Sequence, residues 1–129
     1  MSEAGAKRVV KLAVSIAAHS PLMESAAESF RQVLATTAFK RAHTVVYGNV
    51  NAAPLNDVDS IRRELDLQLT QSVRWTESVQ GMVAAGAETF LELGPKDVLA
   101  GLLKRIDRSK TGRAVNSVES LQKLAADGG

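Results

Sequence analysis

The sequence predicts an α/β domain with a parallel sheet flanked by helices. Short apolar, β-branched runs alternate with longer segments of helical periodicity, giving the order β-α-β-α-α-β-α-β-α. Strands separated by helices favour parallel pairing with right-handed crossovers. The chain has 129 residues, 45% hydrophobic, which suits one domain with a real core. Aromatic residues are only 4%, so Val, Leu, Ile and Ala must fill that core.

Taken in order, Ser2–Arg8 reads as the tail of a helix, with Gly5 as its C-cap. Val9–Ile16 mixes Val, Leu and Ile with few polar residues, the pattern of a strand buried on both faces. Ser20 suits an N-cap and Pro21 the first helical position, so a helix is expected over Pro21–Thr36. Its inward face is expected to carry Leu22, Ala26, Phe30, Val33 and Leu34. Lys40, Arg41 and His43 follow in a polar loop, where His43 is most simply a surface residue.

Thr44–Val50 is rich in β-branched residues and reads as a second strand, ending at Gly48 and Asn49. Pro54 breaks the loop after it. Asp57 or Asp59 caps the next helix, which carries Val58, Ile61, Leu65 and Leu69 on one face and Gln68 near its end. Ser72–Ala85 is a third helix, with Trp75, Val79, Met82 and Val83 inward and Gly86 as C-cap. Thr89–Leu93 is a strand stopped by Gly94-Pro95. Asp97 is placed to cap a helix bearing Val98, Leu99, Leu102, Leu103 and Ile106. Gly112 opens a short edge strand, Arg113–Val115, and Ser117 caps a last helix through Leu124. Ala125–Gly129 reads as a frayed tail.

Composition excludes several classes of function. A net charge of +2 is too small to argue for nucleic acid or a membrane surface. The nearest thing to a basic patch, Lys104, Arg105, Arg108, Lys110 and Arg113, reads as a solvated helix end and loop. With no cysteine, disulfides and thiol catalysis drop out. Two histidines without a carboxylate cluster do not make a metal site. Neither G-x-G-x-x-G nor a Walker A pattern occurs. Met1–Lys7 is polar and small, and no apolar run approaches the roughly 20 residues that span a bilayer. We expect a soluble, cytoplasmic protein that contacts neither membrane nor nucleic acid.

The chemistry left is that of His19. It lies where an apolar run passes into a helix start, the rim where open α/β sheets bind ligands. Local features alone favour the plainer reading, a residue that fills a loop beside a helix N-terminus. A neutral imidazole acts as general base only if its second ring nitrogen donates to a fixed acceptor. No G-x-S-x-G nucleophile elbow is present, and Ser20 is better explained as a cap.

Five stretches carry a resemblance. They are A-G-A-K-R with the following apolar run (Ala4–Ser15), A-A-H-S-P-L-M (Ala17–Met23), V-V-Y-G-N-V (Val45–Val50), Q-L-T-Q-S-V-R-W (Gln68–Trp75) and E-L-G-P-K-D-V-L-A-G-L (Glu92–Leu102). In order and spacing they resemble malonyl-CoA:acyl-carrier-protein transacylases and the acyltransferase domains of polyketide and fatty acid synthases. The resemblance covers nearly the whole chain and matches the C-terminal part of that domain. It implies a partial parallel sheet, the C-terminal portion of the large, hydrolase-like subdomain. Residues 1–8 would end the small ferredoxin-like subdomain, 9–124 belong to the large one, and 125–129 form the tail.

The resemblance also implies roles. His19 matches the catalytic base. Gln68 matches the position whose main-chain carbonyl orients that base, and Asn49 an asparagine near the site. The family's G-H-S-x-G serine, oxyanion-hole glutamine and carboxylate-binding arginine precede the matched region. The implied reaction is ping-pong malonyl transfer from coenzyme A to the phosphopantetheine thiol of acyl carrier protein, with no cofactor and no metal. This chain would supply the base and be inactive alone. It would pair with a separate N-terminal half or self-associate through an exposed strand edge. The competing reading is a noncatalytic module that binds carrier protein or a subunit. Ala18, where malonyl-selective members often carry a bulkier residue, would leave room for a methyl-branched acyl group.

Overall fold

The computed structural model describes Gly5, Val9 and residues 16–127. Among these, a 3₁₀ turn (Pro21–Met23) leads into α1 (Glu24–Thr36), followed by α2 (Val58–Leu67) and α3 (Trp75–Ala84). Then come β1 (Thr89–Leu93), α4 (Val98–Ile106), β2 (Thr111–Val115) and α5 (Val118–Asp127). The α/β class and the parallel pairing expected from the sequence are both present. The expected helix tail at Ser2–Arg8 and nearly all of the expected strand Val9–Ile16 lie outside the described residues.

β1 and β2 pair in parallel, with Thr89 opposite Thr111 and Leu93 opposite Val115. α4 makes the crossover and packs on both strands. Phe90 and Glu92 lie on the half-buried face of β1, where Glu92 Oε2 accepts the Ala100 N–H at 2.8 Å. That bond corrects one expectation. Asp97 stands at the N-cap of α4 but makes no side-chain cap, and Glu92 reaches across from the strand to satisfy the free amide. β2 begins two residues before the expected Arg113 because the parallel ladder starts opposite Thr89, which puts Gly112 inside it.

Thr44–Val50 does not form the expected strand. The segment folds back on the residues after it: Gly48 N–H donates to Ala53 O at 3.0 Å and Leu55 N–H to Val46 O at 2.8 Å. One antiparallel bridge, Tyr47 with Pro54, results. Its β-branched sequence is met by a local turn because no described strand takes up its ladder.

Helix ends follow local chemistry closely. Of the two candidates, Asp57 caps α2: its Oδ1 accepts the Ser60 N–H at 2.7 Å, and Ser60 Oγ takes the Asp57 N–H in return. Ser20 accepts the Leu22 N–H, and Pro21 opens the turn ahead of α1. α3 starts at Trp75, later than Ser72, because the Arg74 N–H is drawn out to Asn49 O at 2.7 Å. It ends in a Schellman motif: Gly86 at φ +97° donates to Val83 O, and Ala87 to Met82 O. Ser117 caps α5, which continues past Leu124 to Asp127.

Among the described residues the apolar core is thin. Among the described residues, Ala27, Leu34, Leu55, Val79 and Leu103 are the buried aliphatics. α1 turns Ala27 and Leu34 inward, while Ala26 and Val33 face out, as does Leu22 (81% exposed) in the turn before it, a correction to the expected face. The reason is its neighbour: α1 packs on α2, and that contact selects the Ala27–Leu34 stripe.

A buried carboxylate holds the centre. Glu64, only 7% exposed, accepts the N–H groups of Asn49 (2.6 Å) and Val50 (2.9 Å). Gly48 leaves room for it, since a Cβ there would overlap the Glu64 carboxylate. Glu64→Leu should cost about 1–3 kcal/mol by leaving two half-buried amides unpaired, and Gly48→Ala about 1–3 kcal/mol by overpacking. Denaturant midpoints measure both; losses below about 0.5 kcal/mol would refute this account of the loop.

Asp57 offers a pH test. Bonds from the Ser60 backbone and hydroxyl hold its carboxyl below the usual carboxylate value of 3.8. A depressed folded value means that its contribution to stability is complete above the unfolded value and disappears as pH falls through the folded one. Asp57→Asn, which keeps a capping oxygen, should flatten the fall in stability as pH drops below about 4, measured by denaturation at each pH. An unchanged acid limb would contradict it.

Candidate functional site

The turn Ala17–Met23 sets His19 apart from its neighbours. Ser20 Oγ donates to Ala17 O at 2.7 Å and accepts the Leu22 N–H, and Ser20 O accepts the Met23 N–H. Ser20 is thereby used in building the turn. His19 lies in the left-handed region at φ +60°, a conformation that costs a residue with a Cβ about 1–2 kcal/mol. Such strain persists where the surroundings over-determine it, as they do at functional sites.

What holds the ring is the C-terminal end of α2. The last carbonyls of a helix have no partner within it. Leu67 O is satisfied by the Thr70 and Gln71 N–H groups. Gln68 O instead receives the imidazole, with Nδ1 at 2.6 Å. A carbonyl can only accept, so the ring proton sits on Nδ1 and the Nε2 lone pair is left open.

Asn49 meets the last turns of α2 through Glu64. Its N–H is fixed by Glu64 and its carbonyl by Arg74. A cavity of about 270 Å³ is lined by Asn49, Glu64 and Gln68, with Tyr47, Leu55 and Leu65. The structure thus brings His19 to the carbonyl of Gln68, and Gln68 and Asn49 to one cavity. His43 stays exposed. Within the basic cluster, Lys110 pairs with Glu88 at 2.7 Å and Arg113 with Asp127 at 3.0 Å, which engages two of its five cations.

Sequence reading missed Glu64, whose spacing of four residues from Gln68 placed it on the same helical face. It also missed Arg31 and Arg62, which join α1 to α2. Among the described residues no group of three or more His, Asp or Glu could hold a metal ion. No described helix is long and apolar enough to cross a membrane.

No family model matches the chain. Curated relatives do. The malonyl CoA-acyl carrier protein transacylase of Bacillus subtilis is 39% identical over 120 residues, which is 93% of this chain and 38% of the relative. The MCAT of Streptococcus pneumoniae superposes with a TM-score of 0.89 at 35% identity, over 98% of this chain and 41% of that one. A malonyl-transacylase in complex with its type II PKS acyl-carrier protein gives a TM-score of 0.90 at 38% identity, over 98% of this chain and 41% of that one. The chain therefore spans about two fifths of the length of the proteins it matches. Likeness in sequence and in fold over nearly all its residues leads to one conclusion: the chain belongs to the malonyl-CoA:acyl-carrier-protein transacylase family.

Proposed function

We propose that the chain supplies the general base of a malonyl transfer site, moving malonyl from coenzyme A to the phosphopantetheine thiol of an acyl carrier protein. One observation carries the reading: Nδ1 of His19 is tied to Gln68 O, which leaves Nε2 free to take a proton. Asn49 stands near the site, on the cavity that Gln68 also lines.

In the first half-reaction a serine hydroxyl gives its proton to His19 Nε2 as its oxygen attacks the malonyl thioester. The imidazolium returns that proton to the departing coenzyme A sulfur. In the second, the carrier thiol passes its proton to His19 and attacks the seryl ester, and the serine oxygen leaves with the proton. The serine and the oxyanion donors come from outside the sequence described here, which holds no G-H-S-x-G motif. Coenzyme A is substrate, and no cofactor is needed. A malonyl-transacylase similar to this chain, solved in complex with its acyl-carrier protein, supports that class of partner. Among the described residues β1 has β2 as its one neighbour, and its other edge, with Leu93 74% exposed, is where the serine-bearing portion of the fold or a second copy would add.

The test is complementation. The chain alone should transfer no malonyl; mixed with the serine-bearing portion of a family member, it should transfer labelled malonyl to carrier protein. His19→Ala should lower that rate by roughly 10³-fold or more. Gln68→Leu should keep it within about threefold, because only the main-chain carbonyl is used. Full transfer by His19→Ala would overturn the assignment. A stable complex that transfers nothing with either form would favour the noncatalytic binding module.

A further inference from the structure

The two helices that meet at the His19–Gln68 contact are fastened by arginines reaching in opposite directions. From α1, Arg31 donates Nε–H to Asp66 Oδ1 on α2 at 2.6 Å. Its Nη1 holds Glu24 (2.8 Å) and Glu28 (3.1 Å) on its own helix. From α2, Arg62 donates to Leu34 O and, at 3.4 Å, to Thr37 O, at the C-terminal end of α1. Its guanidinium also lies 4.8 Å from the centroid of the Phe39 ring.

These bonds sit at successive levels of an antiparallel pair. His19 meets Gln68, Arg31 meets Asp66, and Leu34 and Thr37 meet Arg62. Apolar packing does little to set this register. An open groove of about 470 Å³ is lined by Arg31, Leu34, Asp59, Arg62, Arg63 and Asp66, and α1 buries only Ala27 and Leu34. His19 is joined to α1 through one short turn, so a slip of α1 along α2 would carry the ring off Gln68 O.

We propose that Arg31 and Arg62 are positioning residues for His19, fixing α1 against α2 so that Nδ1 stays on the Gln68 carbonyl. The inference rests on His19 being the base. Exposed ion pairs add little to global stability, and their effect here is on register. Arg31 works through charge and is open to screening. Arg62 works through a two-pronged grip on carbonyls that a lysine cannot copy.

The test reads the imidazole itself. The full chain, labelled with ¹⁵N-histidine, reports the His19 tautomer by NMR, with exposed His43 as internal reference. Wild type should show the Nδ1–H tautomer alone. Asp66→Asn and Arg62→Lys should give mixed tautomers and about tenfold faster exchange of the Nδ1 proton. Glu28→Gln, which removes only the pairing within α1, should change neither. In the complemented assay both clamp variants should lower kcat about tenfold with KM unchanged.

Raising salt to about 1 M, where charges are screened within about 3 Å, should shift the wild-type tautomer the same way through Arg31. That measurement needs no variant and stands if one fails to fold. A single tautomer in both clamp variants and at high salt would overturn the proposal. The base reading is judged separately: it fails if His19→Ala transfers malonyl normally, whatever the tautomers do.

Discussion

The bond from the His19 imidazole to the Gln68 carbonyl is the contact the site depends on. It exists because α2 stops at Leu67 and leaves the next carbonyl without a helical partner. Its 2.6 Å length sets the ring tautomer, holds a residue in the left-handed region and defines which nitrogen is open. The Gln68 side chain has no part in it. Everything that places α2 therefore places the base: Glu64 against the Asn49 loop, Asp66 against Arg31, and Arg62 against the end of α1.

Two acidic residues do what cations or apolar packing do elsewhere. Glu64 and Glu92 each turn a carboxylate toward backbone N–H groups that secondary structure leaves free. A charged acceptor makes stronger bonds to such amides than a neutral one. Glu64 ties α2 to the loop that carries Asn49, and Glu92 ties β1 to the start of α4. Both lock a turn near the C-terminal side of an element, where an α/β fold gathers its chemistry.

The thin core fits a chain that spans about two fifths of its relatives' length. Leu91 and Leu93 lie exposed on one face of β1, and Val45 and Val46 are exposed nearby. A cavity of about 420 Å³ beside them is lined by Val45, Tyr47, Met82, Phe90 and Leu91. Exposed apolar surface of this kind, on a strand with one neighbour among the described residues, favours association.

Some of this was written locally in the chain. The Ser20-Pro21 start, the Asp57 cap, the Thr89–Leu93 strand and the Gly86 stop each need only a few adjacent residues, so their chemistry could be read directly. The five motifs carried the family. Pairings between distant residues could not be read that way. Thr44–Val50 has the composition of a strand, but a ladder needs a neighbour, and the fold turns it back on Ala53–Leu55. Which stripe of α1 faces inward was settled by α2, and the starts of α3 and β2 by the Asn49 carbonyl and the Thr89 ladder. His19 was visible in the sequence as a residue type in a suggestive place. Its tautomer and its anchor came only from tertiary structure, because 49 residues separate the imidazole from the carbonyl that holds it.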